Sequence, residues 1–263
     1  ARELKAAGKK IIGYPCVYVP LEMLTALDLV PYQTCGDIKE PVTEADRALP
    51  HSFCPIMRTC LDCALKGKND FLDGMATIHS CDPQEKTARV WESYTNYPYF
   101  HFIDMPITVR PEALEYFKSQ LNDFRKTLEA FTGKKLSTDK LEAAIKYHNR
   151  QRALVRELYE LTKSSPPRIS GTEIVQALKA LMSLPVVEGN DLLTETIGEV
   201  KNRTDGPEKK SARLLIWSST LDDTDIIQVL EAEANVVLNE SCGGIRAYRS
   251  EVKLTSDPLE GLA

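Results

Sequence analysis

The chain begins with short apolar stretches that alternate with amphipathic helical patterns. Strands are predicted at "KKIIGY", "VPYQTC", "MATIHS" and "YFHFIDMP", since each is a brief apolar run bounded by polar or turn residues. The segments between them, "PLEMLTALDLV", "CPIMRTCLDCALKG" and "DPQEKTARVWESY", have helical spacing. Pro20 and Pro83 lie near first turns, and Gly67 is a stop signal. The alternation predicts an α/β fold with a parallel sheet and helices on both of its faces.

The middle of the chain changes to longer helical patterns. Helices are predicted over residues 111–133 and 137–163 and, approximately, 171–183 and 189–202, before the charged linker "NRTDGPEKKSA". Beyond the linker, "ARLLIWSS" and "NVVLNESCGG" predict strands on either side of the helix "DDTDIIQVLEAEA". The pattern predicts an N-terminal α/β domain at 1–110 and a helical segment packed on it at 111–205. Residues 206–263 are predicted to be the start of a second α/β domain.

The second domain is predicted to be truncated. Two strands and one helix in roughly 50 residues do not close a doubly wound parallel sheet with both faces covered. The sequence also lacks an initiator Met and starts inside a helical pattern. We therefore expect a segment of a longer natural chain with two doubly wound domains.

Composition excludes several classes of protein. The 263 residues are 43% apolar and 27% charged, which is typical of a soluble globular protein. A net charge of −5 argues against a nucleic-acid partner, which requires a clustered basic surface. No apolar run approaches the roughly 18 residues that cross a bilayer, and the N-terminus lacks a signal-peptide core. We expect a cytoplasmic protein without a membrane partner.

Cysteines carry the candidate chemistry. Seven cysteines, an odd number, argue against a disulfide framework in such a chain. Cys54 and Cys81 each open a predicted helix, where the helix dipole and free N–H groups favour a thiolate. Cys81 also follows a strand at the carboxyl edge of the sheet, where ligands bind. The other cysteines that follow predicted strands are Cys16, Cys35 and Cys242.

The pair Cys60–x2–Cys63 has zinc-like spacing, but a second close pair is missing. A dithiol redox pair would begin a helix, whereas this one lies inside a helical pattern. The dense cysteine run of a ferredoxin is also absent. Helix packing, additional ligation and an iron–sulfur cluster assembled from distant segments stay open.

These segments together resemble a known family. "GYPCVYVPLEMLTALDLVPYQTCG" resembles the opening motif of the 2-hydroxyacyl-CoA dehydratase and benzoyl-CoA reductase family, a strand followed by P-x-E-[LIM] and a helix. "FCPIMRTCLDCALKGKNDFLDGMATIHSCD" resembles the cluster-binding segment, and "TGKKLSTDKLEAAIKYHNRQRALVRELYEL" the helical middle. The likeness covers residues 9–200, with a weaker echo over 211–263, and is nearest to the smaller benzoyl-CoA reductase subunits.

The resemblance implies a [4Fe–4S] cluster held by three cysteines, two of which match Cys54 and Cys81. The third belongs to a C-terminal portion that this sequence does not reach. The resemblance further implies an oxygen-sensitive, anaerobic enzyme, a heterodimer with a homologous sister subunit. An ATP-dependent [4Fe–4S] activator protein would deliver low-potential electrons for ring reduction of an aromatic acyl-CoA or for radical dehydration of a 2-hydroxyacyl-CoA. The alternative is an electron-transfer or small-molecule-reducing protein of the double-cubane type, with Cys60 and Cys63 as extra ligands.

Two other residues are candidates through the same resemblance. Glu22 matches the glutamate of the P-x-E motif and would transfer protons, with a pKa raised by desolvation at the edge of the sheet. A surface glutamate that interacts with the helix dipole is the alternative. Arg58 lies one turn after Cys54 and would face the cluster or a CoA phosphate, unless it is a solvated helix arginine.

Two further features stay open. His79 shares a strand face with Cys81, although a core histidine is the simpler interpretation. The basic stretch "HNRQRALVR" is either a solvated helix face or a docking surface for the activator or the sister subunit.

Overall fold

The structure is a computed structural model that describes residues 1–221 and 223–263. The chain divides into two compact units, one formed by residues 1–144 with 253–263 and the other by residues 145–252. The boundary at 144 and 145 falls inside a long helix. The division of the chain into an α/β domain at 1–110, a helical segment at 111–205 and the start of a second domain at 206–263 stays a prediction.

The first unit is built on a four-stranded parallel sheet. Its strands are β1 (Ile11–Tyr14), β2 (Val30–Gln33), β3 (Gly74–Ile78) and β4 (Tyr99–Ile103), in the spatial order β2-β1-β3-β4. All residues of β1 and β3 are buried, as expected for central strands covered on both faces. The strand order reverses between β1 and β3, so their carboxyl ends form the topological switch point at which such sheets bind ligands.

Helices α2 (Leu21–Thr25), α3 (Pro55–Leu65) and α4 (Asp82–Tyr94) connect successive strands. Helix α1 (Arg2–Ala6) precedes β1, and α5 (Pro111–Thr132) follows β4. A buried cluster that includes Leu61, Met75 and Trp91 lies between sheet and helices. Gly67 has φ +76°, a left-handed conformation that favours glycine and ends α3 as predicted.

The second unit combines helices with a two-stranded parallel sheet. Its elements are α6 (Thr138–Glu160), which begins in the first unit, α7 (Gly171–Leu181), α8 (Val186–Asn202), β5 (Ala212–Trp217), α9 (Thr224–Glu231) and β6 (Ala234–Glu240). Its main core joins α6, α7 and α8 through residues such as Leu158, Leu178 and Leu193. Helix α10 (Pro258–Leu262) then returns to the first unit and contacts α5.

The predicted α/β class with parallel sheets is confirmed. The helical pattern at the start of the sequence corresponds to α1, whereas α10, with five residues, shows no helical periodicity long enough to detect. Helix α8 begins at Val186, directly after Pro185, and not near residue 189. Within the described part of the chain, no helix is both long enough and apolar enough to cross a membrane.

Candidate functional site

Polar side chains follow each strand at the carboxyl edge of the first sheet. Cys16 follows β1, Cys35 follows β2, and Ser80 lies just past β3. The thiol of Cys16 donates to Ser80 Oγ at 3.2 Å, which joins the two strands at the topological switch point. Cys16 is buried, whereas Cys35 is exposed. The geometry therefore brings sulfur and hydroxyl groups together where a ligand is expected.

Cys54 and Cys81 are the N-cap residues of α3 and α4, at the helix starts where the sequence placed them. Cys54 is half-buried and Cys81 is exposed, and neither side chain makes a capping hydrogen bond. Both helices, of 11 and 13 residues, have free backbone N–H groups in the first turn, at the end where these cysteines lie. Their role as metal ligands stays a prediction.

Thiolates are the usual protein ligands of iron–sulfur clusters, so Cys54 and Cys81 fit such a cluster as two of its ligands. Across residues 1–221 and 223–263, no three His, Cys, Asp or Glu side chains lie together in a way that would hold a metal ion.

Cys60 and Cys63 lie on the buried face of α3. Cys60 is 3% exposed and its thiol contacts the carbonyl oxygen of Thr34 at 3.6 Å. Cys63 is 6% exposed, and burial raises the pKa of its thiol. Burial disfavours the thiolate, which is the form that metal ligation requires. The geometry supports the packing interpretation of this pair.

Arg58 is engaged by groups of its own chain. Its Nε donates to Asp46 Oδ1 at 3.0 Å, its Nη2 also contacts that oxygen, and its Nη1 donates to the carbonyl oxygen of His51 at 3.0 Å. Its side chain is 14% exposed, so the solvated-arginine alternative is wrong. The predicted contact with a cluster or CoA phosphate stays a prediction.

Asp62 lies one turn further along α3 than Arg58. It holds residues 43–45, which directly precede Asp46 in the loop before the helix. Its Oδ1 accepts the backbone N–H groups of Thr43, Glu44 and Ala45 at 2.9, 2.7 and 3.0 Å. Desolvation opposes ionisation, but the Lys66 ammonium and these N–H groups prevail and lower the pKa of Asp62 to about 2. The sequence pattern did not indicate a role for Asp62, because a hydrogen bond to backbone groups distant in sequence leaves no local pattern.

Glu22 lies in the first turn of α2, directly after β1 and its loop. It is 2% exposed, and its neighbours Met23 and Leu24 are fully buried. The surface-glutamate alternative is therefore wrong. A buried carboxyl group near the ligand-binding edge is suited to proton transfer, and that role stays a prediction.

His79 is part of a hydrogen-bonded series at the same edge. Its Nδ1 lies 3.1 Å from Asp104 Oδ1, and the other Asp104 oxygen accepts the hydroxyl of Tyr116 at 2.8 Å. The hydrogen bond to Asp104 raises the pKa of Tyr116. His79 was a candidate from the sequence, whereas its partners were not, although the position of Asp104 just after a predicted strand was an available signal.

Cys242 lies beyond β6 in the second unit, where Arg246 contacts it. Arg246 Nη1 donates to Cys242 Sγ at 3.4 Å, and Nη2 donates to the carbonyl oxygens of Ser218 and Glu240 at 2.9 and 3.1 Å. The guanidinium group thus joins the carboxyl ends of β5 and β6 beside the Cys242 sulfur.

The basic stretch on α6 holds a segment of its own unit. Asn149 donates to the carbonyl oxygen of Val252 at 2.8 Å and accepts its N–H at 2.9 Å. Arg156 donates to the carbonyl oxygen of Tyr248 at 2.9 Å. These side chains fasten residues 248–252 to the helix. A docking role for the remaining surface stays a prediction.

Comparison with known proteins tests the resemblance. A profile of the family described as 2-hydroxyglutaryl-CoA dehydratase, D-component, matches residues 16–263. A benzoyl-CoA reductase subunit from Thauera aromatica is 27% identical over 271 residues, which cover 100% of this chain and 70% of that protein. The beta subunit of (R)-phenyllactyl-CoA dehydratase from Clostridium sporogenes is 24% identical, with coverages of 100% and 70%.

The beta subunit of (R)-2-hydroxyglutaryl-CoA dehydratase from Acidaminococcus fermentans is 26% identical over 179 residues, which cover 67% of this chain and 47% of that protein. The predicted resemblance is confirmed. The chain belongs to the 2-hydroxyglutaryl-CoA dehydratase D-component family and hence to the benzoyl-CoA reductase and 2-hydroxyacyl-CoA dehydratase type of enzyme.

Proposed function

We propose that the chain is the iron–sulfur subunit of an oxygen-sensitive acyl-CoA enzyme of the cytoplasm. The observation that carries the proposal is the placement of Cys54 and Cys81 as N-caps of two helices at the ligand-binding edge of the sheet. In this proposal, the two thiolates hold a [4Fe–4S] cluster together with a further cysteine.

When bound, the cluster supplies one-electron chemistry at low potential. The chain contributes the two thiolates. Glu22 holds or delivers a proton at its buried carboxyl group. The proposed reaction is ring reduction of an aromatic acyl-CoA or radical dehydration of a 2-hydroxyacyl-CoA. The relatives support it as far as their names go, which are those of a benzoyl-CoA reductase and of two acyl-CoA dehydratases.

The partners proposed are a homologous sister subunit and an ATP-dependent [4Fe–4S] activator that delivers the electrons. The sister subunit is supported by the relatives, which are named as subunits. The proposal of an activator rests on the family resemblance and on the need for a low-potential electron donor. The double-cubane alternative receives no support from Cys60 and Cys63, because both are buried in α3's packing face.

The test compares two pairs of cysteines in the chain purified without oxygen together with its sister subunit. Cys54→Ala and Cys81→Ala are expected to lose bound iron and sulfide and the absorption and EPR signals of the cluster. Cys60→Ala and Cys63→Ala are the matched controls from the same helix region and are expected to keep them.

About four irons per chain in the unmodified protein, lost with Cys54 or Cys81, supports the proposal. About eight irons per chain, lost with Cys60 or Cys63, would favour the double-cubane alternative. Iron-free protein would reject both. Turnover of benzoyl-CoA or of a 2-hydroxyacyl-CoA only when the activator and ATP are present would then establish the enzyme and its reaction.

A further inference from the structure

Residues 34–51 form most of the long loop between β2 and α3 and are fastened along one side of α3. Arg58, Asp62 and Lys66 follow one another at intervals of four residues, so they lie on one stripe of the helix. Arg58 binds Asp46, Asp62 binds the backbone of residues 43–45, and Lys66 donates to the carbonyl oxygen of Pro41 at 2.8 Å. The loop is thereby fixed just before the chain reaches Cys54.

The contact nearest to Cys54 is the Asp46–Arg58–His51 group. All three guanidinium nitrogens of Arg58 have partners in this group, Asp46 for Nε and Nη2 and the His51 carbonyl oxygen for Nη1. Nη2 also lies 3.4 Å from His51 Nδ1. The Asp46 carboxylate, whose side chain is 17% exposed, binds the guanidinium group and also lies 3.2 Å from His51 Nδ1 through Oδ2. Only two residues separate His51 from Cys54, so the contact holds the backbone that leads to Cys54.

We propose that Asp46 and Arg58 are positioning residues that hold the Cys54 thiolate in the place where it binds the cluster. The inference rests on the proposed function, which it deepens by naming what fixes one ligand. Arg58 is one turn from Cys54, and its backbone N–H also donates to the carbonyl oxygen of Cys54 at 3.0 Å. The side chain therefore connects the loop before Cys54 to the first turn of the helix after it.

The test uses the chain assembled with its sister subunit and purified without oxygen. The variants are Asp46→Asn, Arg58→Gln, the double variant, and Arg58→Lys, which keeps the charge but loses the planar fork. Glu44→Gln and Arg47→Gln are the matched controls, because these two side chains form an exposed ion pair in the same loop. The measurements are iron release to a chelator, the EPR spectrum, and KM for the acyl-CoA.

Asp46→Asn and Arg58→Gln are each expected to speed iron release about tenfold, as loss of a charge-assisted hydrogen-bonded pair should. Both are expected to shift the EPR spectrum alike, and the double variant should be no worse than either single variant, because the two residues act as one unit. Arg58→Lys is expected to release iron at a rate between those of the unmodified protein and Arg58→Gln. KM should stay within about twofold, as should all properties of the controls.

Additive effects of the two substitutions would overturn the proposal. So would a raised KM in Arg58→Gln but not in Asp46→Asn, because that result places Arg58 on the substrate itself. Unchanged iron release and spectra in both variants, with a normal cluster in the unmodified protein, would also reject it while the proposed function stands.

If the unmodified protein binds no iron, the proposed function fails, and amide hydrogen exchange then tests the positioning contact alone. Faster exchange at residues 52–54 in both Asp46→Asn and Arg58→Gln supports the contact. Unchanged exchange there rejects it. Circular dichroism of each variant identifies any substitution that prevents folding, in which case Arg58→Lys replaces Arg58→Gln.

Discussion

Asp62 shows how one side chain can fix a long loop. The carboxylate is 4% exposed and accepts three backbone N–H groups, a set of bonds that only an ionised oxygen satisfies well. Its pKa lies near 2 in the folded chain, whereas an aspartate in unfolded chains titrates near 4. The folded state therefore binds this proton less tightly than the unfolded state.

Asp62→Asn is expected to lower the free energy of unfolding at pH 7 by about 2 kcal/mol, the stabilisation that a shift of this size represents. A lowered pKa contributes stability that is fully present above about pH 4 and is lost as the pH falls through about 2. Urea denaturation of both proteins across that range should thus give curves that converge in acid. Asp37→Asn, at a more exposed ion pair with Lys68, is the control. Equal stability at pH 7 would contradict the expectation.

Glu22→Gln tests the buried carboxyl group by removing its proton chemistry at nearly constant shape. We expect kcat of the assembled, activated enzyme to fall by about 10²- to 10⁴-fold, the usual contribution of a general acid or base. KM and the thermal stability should change little. Glu92→Gln, an exposed glutamate on α4, should leave kcat unchanged. An equal, small effect of both substitutions would remove Glu22 from the mechanism.

At the residue scale, the sequence located a reactive side chain where that residue also lies at a recognisable helix start. Cys54 and Cys81 were located because each lies at the start of a predicted helix. The partners of Arg58 were not predicted, because Asp46 lies in a polar loop whose conformation depends on contacts with α3. Glu22 was placed correctly in its helix, but its burial depends on how α2 packs in the folded unit.

At the scale of elements, periodicity predicted the strands and the long helices. It did not predict how the 34–51 loop or residues 248–252 are held. Both depend on side chains that bond to backbone groups far away in sequence. Asn149 is such a case, because its amide group forms a pair of hydrogen bonds with Val252 across 103 positions.

Asn149→Ala is expected to destabilise the second unit by about 1–3 kcal/mol, since it leaves both backbone groups of Val252 without these partners. Amide exchange over residues 248–252 should accelerate, because the segment loses its contact with α6. Hydrogen exchange read by mass spectrometry, together with denaturant midpoints, measures both effects. Arg150→Ala, at an exposed neighbour on the same helix, is the control. If exchange is unchanged, other contacts hold the segment.

At the scale of the whole molecule, each unit contains one of the two tryptophans. Trp91 is 0% exposed in the core of the first unit. Trp217 ends β5 in the second unit and is 78% exposed, on the same strand face as the exposed Leu215. The sequence predicted an incompletely covered second sheet from the number of its elements. It did not predict which strand face is open, since that follows from the packing of α7 and α9 against the other face.

The two tryptophans therefore predict two distinguishable fluorescence signals. Acrylamide should quench Trp217 readily and Trp91 weakly, because quenching requires contact with the indole ring. Trp217→Phe should remove the quenchable, long-wavelength component and leave the short-wavelength emission of Trp91, with little loss of stability at so exposed a site. Stern–Volmer plots of the two proteins measure the difference, and Tyr94→Phe, an exposed aromatic residue of the first unit, is the control. Weak quenching in the unmodified chain, with no change on Trp217→Phe, would show that this strand face is covered in solution.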